Sequence, residues 1–227
     1  AESELACLAA AHQRLPEPKP SLRLANLLKL QHPLSVDLYV EQTLAAARLV
    51  VVRLLGGRGY WPYGIEQLVL ATRTNGTALA LLPGDDRPDP ELARLSTLPA
   101  DTLDLLHRYL LHGGIDNAAA ALALMGDLIG HEATPPPPRP LPKAAIHRAP
   151  EADGRPVAAL VFYRALVQSG DLSLVEAIIE ALAAAGLDAL AIHVAGLKDP
   201  EAGRVVEAAI AQHDAAATNH GRRRDQC

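Results

Sequence analysis

The sequence predicts an α/β protein built of two small open parallel-sheet lobes, Rossmann- or flavodoxin-like, joined by a proline-rich linker. Three observations carry that expectation. Short aliphatic runs that stop at glycine or proline alternate with helical stretches of amphipathic spacing. Between two such series, Pro135 to Pro142 places six prolines in eight residues. The second series then ends in 214–227, DAAATNHGRRRDQC, which has no strand pattern, so the second lobe is expected to be truncated.

Composition supports a globular chain. It has 227 residues, enough for one large domain or two small ones, with 49% hydrophobic and 21% charged residues. A single Phe, a single Trp and a single Met leave Ala, Leu and Val to fill the core, which favours close helix packing. The net charge of −5 argues against nucleic acid as a partner, and the basic triplet Arg222 to Arg224 sits at the extreme end. Cys7 and Cys227 form neither a disulfide framework nor a zinc pattern, which fits a reducing cytoplasm. There is no apolar run of the roughly 18 residues a membrane helix needs, nor a signal peptide at the start. The missing initiator Met and an opening inside a helical stretch, Glu4 to Arg14, suggest an incomplete chain.

The first half reads α-β-α-β-α-α. A helix from Ser35 to Ala46, with Ser35 as N-cap, precedes a strand from Ala47 to Leu55 that stops at Gly56-Gly57. A helix over Ile65 to Thr74 ends at Asn75-Gly76, and Thr77 to Leu82 is the second strand. Helices over Asp101 to Leu111 and Asn117 to Ile129 follow. The proline run cannot be helix or central strand; at about 3.1 Å per residue it would span roughly 25 Å as a semi-rigid spacer.

The second half restarts with a strand, Pro156 to Tyr163. Ser173 and Glu176 form a capping box for a helix burying Val175, Ile178, Ile179 and Leu182. Leu187 to Val194 is the next strand, and Asp199-Pro200 caps the helix after it. The order β-α-β-α implies a parallel sheet with right-handed crossovers. The expected division is thus 1–132 for the first lobe, 133–150 for the linker, 151–213 for the second lobe and 214–227 for a disordered tail. With only two strands, the second lobe should be marginal and expose an apolar sheet edge.

Candidate sites lie at the strand ends, where open α/β sheets bind ligands. The loop after the first strand, Gly56 to Gly64, holds Tyr60, Trp61 and Tyr63 in a chain poor in aromatics; these suit either stacking on a flat ligand or plugging the sheet's edge. It matches neither GxGxxG nor a P-loop. Tyr163 and Arg164 end the third strand, ahead of Ser169 and Asp171; Arg164 suits a carboxylate clamp or an ion pair with Asp171. Asp85, Asp86 and Asp89 suit Mg²⁺ or, better, a solvated turn. The nine histidines include no pair at metal-binding helical spacing, and His193 reads as a core or strand-end residue. From the residues alone, fold and ligand loops emerge, but no reaction.

The stretches PLSVDLYVEQTLAAARLVVVRLLGGRGYWPYGIEQL, LALLPGDDRPDPEL and VAALVFYRALVQSGDLSLVEAIIEALAAAGLDALAIHVAGLKDP resemble, in order, the large subunits of the aerobic ATP-dependent cobaltochelatases. The resemblance runs from about Leu22 to Ala211, and the same superfamily includes the porphyrin-binding subunit of magnesium chelatase. It implies a complete protein that inserts Co²⁺ into hydrogenobyrinic acid a,c-diamide during adenosylcobalamin synthesis. It also implies ATP and Mg²⁺ handled by two smaller AAA+-type subunits, in agreement with the missing P-loop. Metal insertion calls for a pocket of His or carboxylate groups, and the family's residues for that step have no counterpart in these strings. No catalytic residue, metal ligand or bound cofactor is therefore expected here, and the stretch alone should be inactive. Tyr60, Trp61, Tyr163, Arg164 and Ser169 fall within the matching strings as ligand-facing or interface positions. The alternatives are a tetrapyrrole- or partner-binding α/β module without catalysis, and a small flavodoxin-like enzyme, which would need a phosphate-cradling loop and a complete sheet.

Overall fold

The computed structural model describes residues 2–151 and 154–224, with 214–224 as backbone only. The chain divides into two compact units at Arg139/Pro140, and the α/β class with small open sheets is borne out.

In the first unit, β1 (Leu49–Leu54) and β2 (Ala78–Pro83) pair in parallel, with Leu49 opposite Ala78 and Leu54 opposite Pro83. A parallel pair cannot be closed by a tight turn, so α3 (Pro62–Asn75) crosses between the strands. It stops where expected: Gly76 adopts φ 68°, which only glycine enters freely, and its N–H bonds the Thr72 carbonyl. One sheet face, Val50, Val52, Leu54, Leu79 and Leu81, packs against α3 and α2 (Pro33–Gln42). The other, Ala80 and Leu82, meets Leu103 and Leu106 of α5 (Ala100–His112). Behind it, α6 (Gly114–Asp127) and α1 (Glu2–Gln13) approach through Ala118, Leu122, Cys7 and Ala11, small enough to bring the helices close.

Several expectations shift. Ser35 is not the cap of α2: Pro33 suits the first helical position, so the helix opens there and His32 Nδ1 accepts the Leu34 N–H at 3.3 Å. That helix ends at Gln42, and a short 3₁₀ turn, Leu44–Ala46, leads into β1. A further helix, α4 (Pro90–Leu95), was not foreseen. It is capped by Asp89, which accepts the N–H groups of Glu91 and Leu92 at 3.0 Å each. After it, Ser96 and Thr97 close the free edge of β2: Thr97 Oγ1 accepts from Leu79 N at 2.7 Å and Ser96 Oγ from Leu81 N at 2.9 Å.

The proline run, expected as a semi-rigid spacer, is fastened to the helices of the first unit over its first residues. Asn117, only 6% exposed, donates to the Gly113 and Arg139 carbonyls and accepts the Arg139 N–H at 2.9 Å. Tyr109 donates its hydroxyl to the Pro136 carbonyl, and Pro135, Pro136 and Pro137 line a shallow cleft together with Ala120 and Ala123 of α6. Proline cannot donate a hydrogen bond, so side chains of the helices must fasten its carbonyls.

In the second unit the sheet order is β3-β5-β4, and the sheet is mixed. β4 (Val157–Tyr163) and β5 (Asp188–Val194) pair in parallel from Val157–Asp188 to Tyr163–Val194. β3 (Ala144–Arg148), in a segment expected to be linker, pairs antiparallel on the other edge of β5. Its five residues, AAIHR, lack the β-branched run and clean alternation that reveal a strand. With β3 and β4 on its edges and a helix over each face, β5 is buried at all seven positions.

Two helices cover opposite faces. α8 (Ser173–Ala184) packs Val175 and Ile179 on Phe162, Ala189 and Ala191, whereas α9 (Pro200–Arg224) packs Ala202 and Ala209 on Leu190, Ile192 and Val194. Asp199 caps α9 as expected, accepting from Glu201 N at 2.9 Å. The capping box does not form: Asp171, not Ser173, leads into α8, accepting the Ser173 hydroxyl at 2.6 Å, and Glu176 turns to His147 and Arg148 instead. A one-turn-and-a-half helix, α7 (Arg164–Ser169), fills the loop after β4. Residues 214–224, expected as a tail, continue α9, and 225–227 lie outside the described residues.

Asn117→Ala strips three hydrogen bonds from a buried site and leaves the Arg139 N–H and C=O unpaired. We expect a loss of about 2 kcal/mol in urea unfolding of the chain; an unchanged midpoint would mean the proline run is not held by this side chain.

Candidate functional site

The C-terminal ends of β1 and β2 bring two loops together. Gly84 lies so close to β1 that a Cβ on it would stand 2.6 Å from Leu55 N, and one on Gly57 would stand 2.7 Å from Asp89 Oδ2. Arg58 bridges the loops by ion pairs to Glu91 at 3.0 Å and Glu66 at 3.4 Å, which hold its guanidinium further toward the charged form. His107 Nε2 reaches the Asp85 carbonyl at 2.7 Å, and Asp85 Oδ1 accepts from Arg87 N at 3.1 Å. With Asp89 capping α4, these contacts match the solvated-turn reading of the acidic loop.

The aromatics of the first loop separate. Trp61 is buried in the core, its indole N–H donating to the Leu30 carbonyl at 2.7 Å, and its ring covers Gly64, where a Cβ would come within 2.0 Å. It is thus a plug and cannot stack on a ligand in this conformation. Tyr60 stays 47% exposed. Tyr63 donates its hydroxyl to Asp37 at 2.7 Å, and that bond to a carboxylate raises the phenol above its ordinary range.

In the second unit, Tyr163 is 62% exposed at the end of β4. Arg164 donates its Nη1 to the Leu141 carbonyl at 3.1 Å, and no ion pair joins it to Asp171 or another carboxylate among the described residues. Ser169 donates to the Leu166 carbonyl at 2.9 Å and accepts the Asp171 N–H at 3.3 Å. The sequence-predicted residues therefore fall on two strand ends in two units, Tyr60 and Trp61 in the first, Tyr163, Arg164 and Ser169 in the second.

One feature of that second strand end escaped the sequence reading. His147, Phe162 and His193 form a row of rings, edge-on at 5.6 Å and 6.4 Å between centroids. His193 is 5% exposed, and among the described residues no group meets either ring nitrogen at full hydrogen-bond geometry, the Pro142 carbonyl lying nearby without reaching it. Burial pushes its imidazole below the ordinary range; the nearby Pro142 carbonyl pulls the other way, and the charges of His147 and Arg164 push it lower. Only pairing of β3 with β5 places His147 in this row, and nothing in AAIHR announces that pairing. Among the described residues, no group of three His, Cys, Asp or Glu is placed to hold a metal ion. Nor is any helix among them long and apolar enough to cross a membrane.

A neutral, buried His193 binds fewer protons folded than unfolded, so its contribution is intact above the unfolded value, near pH 6.5, and weakens as pH falls below it. His193→Leu should therefore flatten the fall in urea midpoint between pH 7.5 and 5.5; an equally steep fall in the variant would assign that dependence to other groups.

Comparison with known proteins locates this architecture. The family model described as CobN/Magnesium Chelatase matches residues 107–220. The aerobic cobaltochelatase subunit CobN of Pseudomonas aeruginosa is 42% identical over 228 residues, covering 95% of this chain and 18% of that protein. The subunit of the same name from Sinorhizobium sp is 42% identical over 219 residues, covering 88% of this chain and 17% of its own length. Among solved structures, the catalytic subunit of cobaltochelatase from Mycobacterium tuberculosis superimposes with a TM-score of 0.66 at 26% identity, over 88% of this chain and 16% of that one. The chain thus spans about a sixth of the length of the relatives it matches. On the span of the family model and the agreement of these relatives, the chain belongs to the CobN/magnesium chelatase family.

Proposed function

We propose that this chain is part of the large subunit of a cobaltochelatase, which inserts Co²⁺ into hydrogenobyrinic acid a,c-diamide in adenosylcobalamin synthesis. The observation that carries the reading is 42% identity to CobN subunits over 95% of the chain. ATP and Mg²⁺ act on two smaller AAA+-type partner subunits, with cobalt and the corrin as substrates, in the cytoplasm.

Within that subunit this stretch is a scaffold that binds no cofactor and carries no chemistry of insertion. Supporting this, its polar candidates are already occupied by structural bonds: Trp61 with Leu30, Arg164 with Leu141, Ser169 with Leu166, Asp89 with the start of α4. Tyr60 and Tyr163 differ from these in being exposed at strand ends, so they are the positions left to face a tetrapyrrole or a partner subunit.

The test is cobalt insertion followed by the corrin's absorption spectrum. The complete subunit with both partners, ATP and Mg²⁺ should convert hydrogenobyrinic acid a,c-diamide, and the 227-residue chain by itself should not. Turnover by the short chain would sink the scaffold reading, and insertion of Mg²⁺ into a porphyrin with no action on the corrin would sink the cobalt assignment. In the complete subunit, Tyr60→Ala and Tyr163→Ala should raise KM for corrin or weaken partner binding about tenfold, leaving the unfolding midpoint unchanged. Wild-type values for both quantities in both variants would remove them from the interface.

A further inference from the structure

The second sheet has two outer strands, and they are built differently. β3 is short, follows Pro140 and Pro142, bears His147 and Arg148, and breaks register between Ile146 and Arg148. Prolines, charges and bulges of this kind are what keep a natural sheet edge from pairing further. β4 has none of them: Val157 to Tyr163 reads VAALVFY, without charge, proline or bulge, and Val157, Ala159 and Tyr163 remain exposed.

The ladder tells which groups of β4 are unused. Asp188 N donates to the Pro156 carbonyl at 2.8 Å, which sets the parallel alternation. The N–H and C=O groups of Ala158, Leu160 and Phe162 then point to β5, and those of Val157, Ala159 and Val161 point away from the sheet. In the first unit the corresponding outward N–H groups of β2, on Leu79 and Leu81, are taken up by Thr97 and Ser96. Nothing among the described residues does this for β4.

The helices say from where a partner would come. α8, which joins β4 to β5, covers one face of the sheet; α9, which leaves β5, covers the other. Crossovers between parallel strands share one hand in about 98% of cases. Two successive crossovers of the same hand on opposite faces must run in opposite directions across the sheet. The first runs from β4 to β5, so the second runs back past β4. Continuing beyond β5 is closed in any case, because β3 occupies that edge. The relatives extend far beyond the match, this chain covering 18% and 17% of their lengths, so polypeptide for such a strand is at hand in a subunit of that size.

We infer that the free edge of β4 receives a parallel, aliphatic strand from the polypeptide that follows α9 in the complete subunit, extending the order to β3-β5-β4-new strand. The inference rests on topology and edge chemistry, and it stands whether or not the proposed cobalt activity holds.

Hydrogen exchange, read by mass spectrometry with fragmentation to single amides, tests it on the 227-residue chain and on the complete subunit. In the short chain, Ala159 and Val161 should exchange at least 100-fold faster than Ala158 and Leu160. In the complete subunit all four should be slow. Fast exchange of Ala159 and Val161 in the complete subunit would overturn the inference. So would slow exchange in the short chain, and light scattering would then say whether a second copy covers the edge in a dimer or the chain covers it itself.

Discussion

Two parallel neighbours cannot be joined by a hairpin, and most of this structure answers to that constraint. Each pair, β1 with β2 and β4 with β5, needs a helical crossover, and the helix must lie on a sheet face. The crossover buries one face and gathers the strand ends on one side. A second helical layer must then cover the face left open, and α5 and α9 supply it. The loops at the strand ends inherit their proximity from this arrangement, and the contacts of Gly57 with Asp89 and Gly84 with Leu55 exist only because β1 and β2 run the same way.

The two units meet the remaining problem of sheet edges by different means. The first uses two hydroxyl side chains after α4 to occupy the outer amides of β2, and a nearly buried asparagine to bind the Arg139 backbone within the proline run. These are side-chain substitutes for strand and helix hydrogen bonds, and they suit a unit with only two strands. The second has a central strand with no exposed position and one guarded edge in β3, leaving β4 as the edge without protection. A small sheet with one guarded edge and one unguarded edge is suited to growth in one direction.

The strand ends are organised mainly by structural bonds. Trp61, which composition singled out as a ligand platform or a plug, is committed to the core by its indole bond to Leu30 and by the glycine beneath its ring. Arg164 and Ser169 serve backbone carbonyls. His193 stands apart, as a buried imidazole whose charged form burial disfavours.

The residues by themselves determined the elements whose signals are local. The Asp199-Pro200 start of α9, the Gly76 stop of α3 and the aliphatic runs of β1, β2, β4 and β5 could be read directly, because caps, glycine conformations and hydrophobic period act within a few residues. The long strings around Tyr60 and Tyr163 also carried the family. Tertiary structure alone decided what depends on partners distant in sequence. β3 is a strand because β5 offers it an edge, not because AAIHR favours one. Glu176 abandons the capping box because His147 and Arg148 lie opposite it. Asn117 holds the proline run, and His193 loses its water, only once helices and strands are packed. Those contacts arise between segments that no local pattern links, so they became visible only in the folded chain.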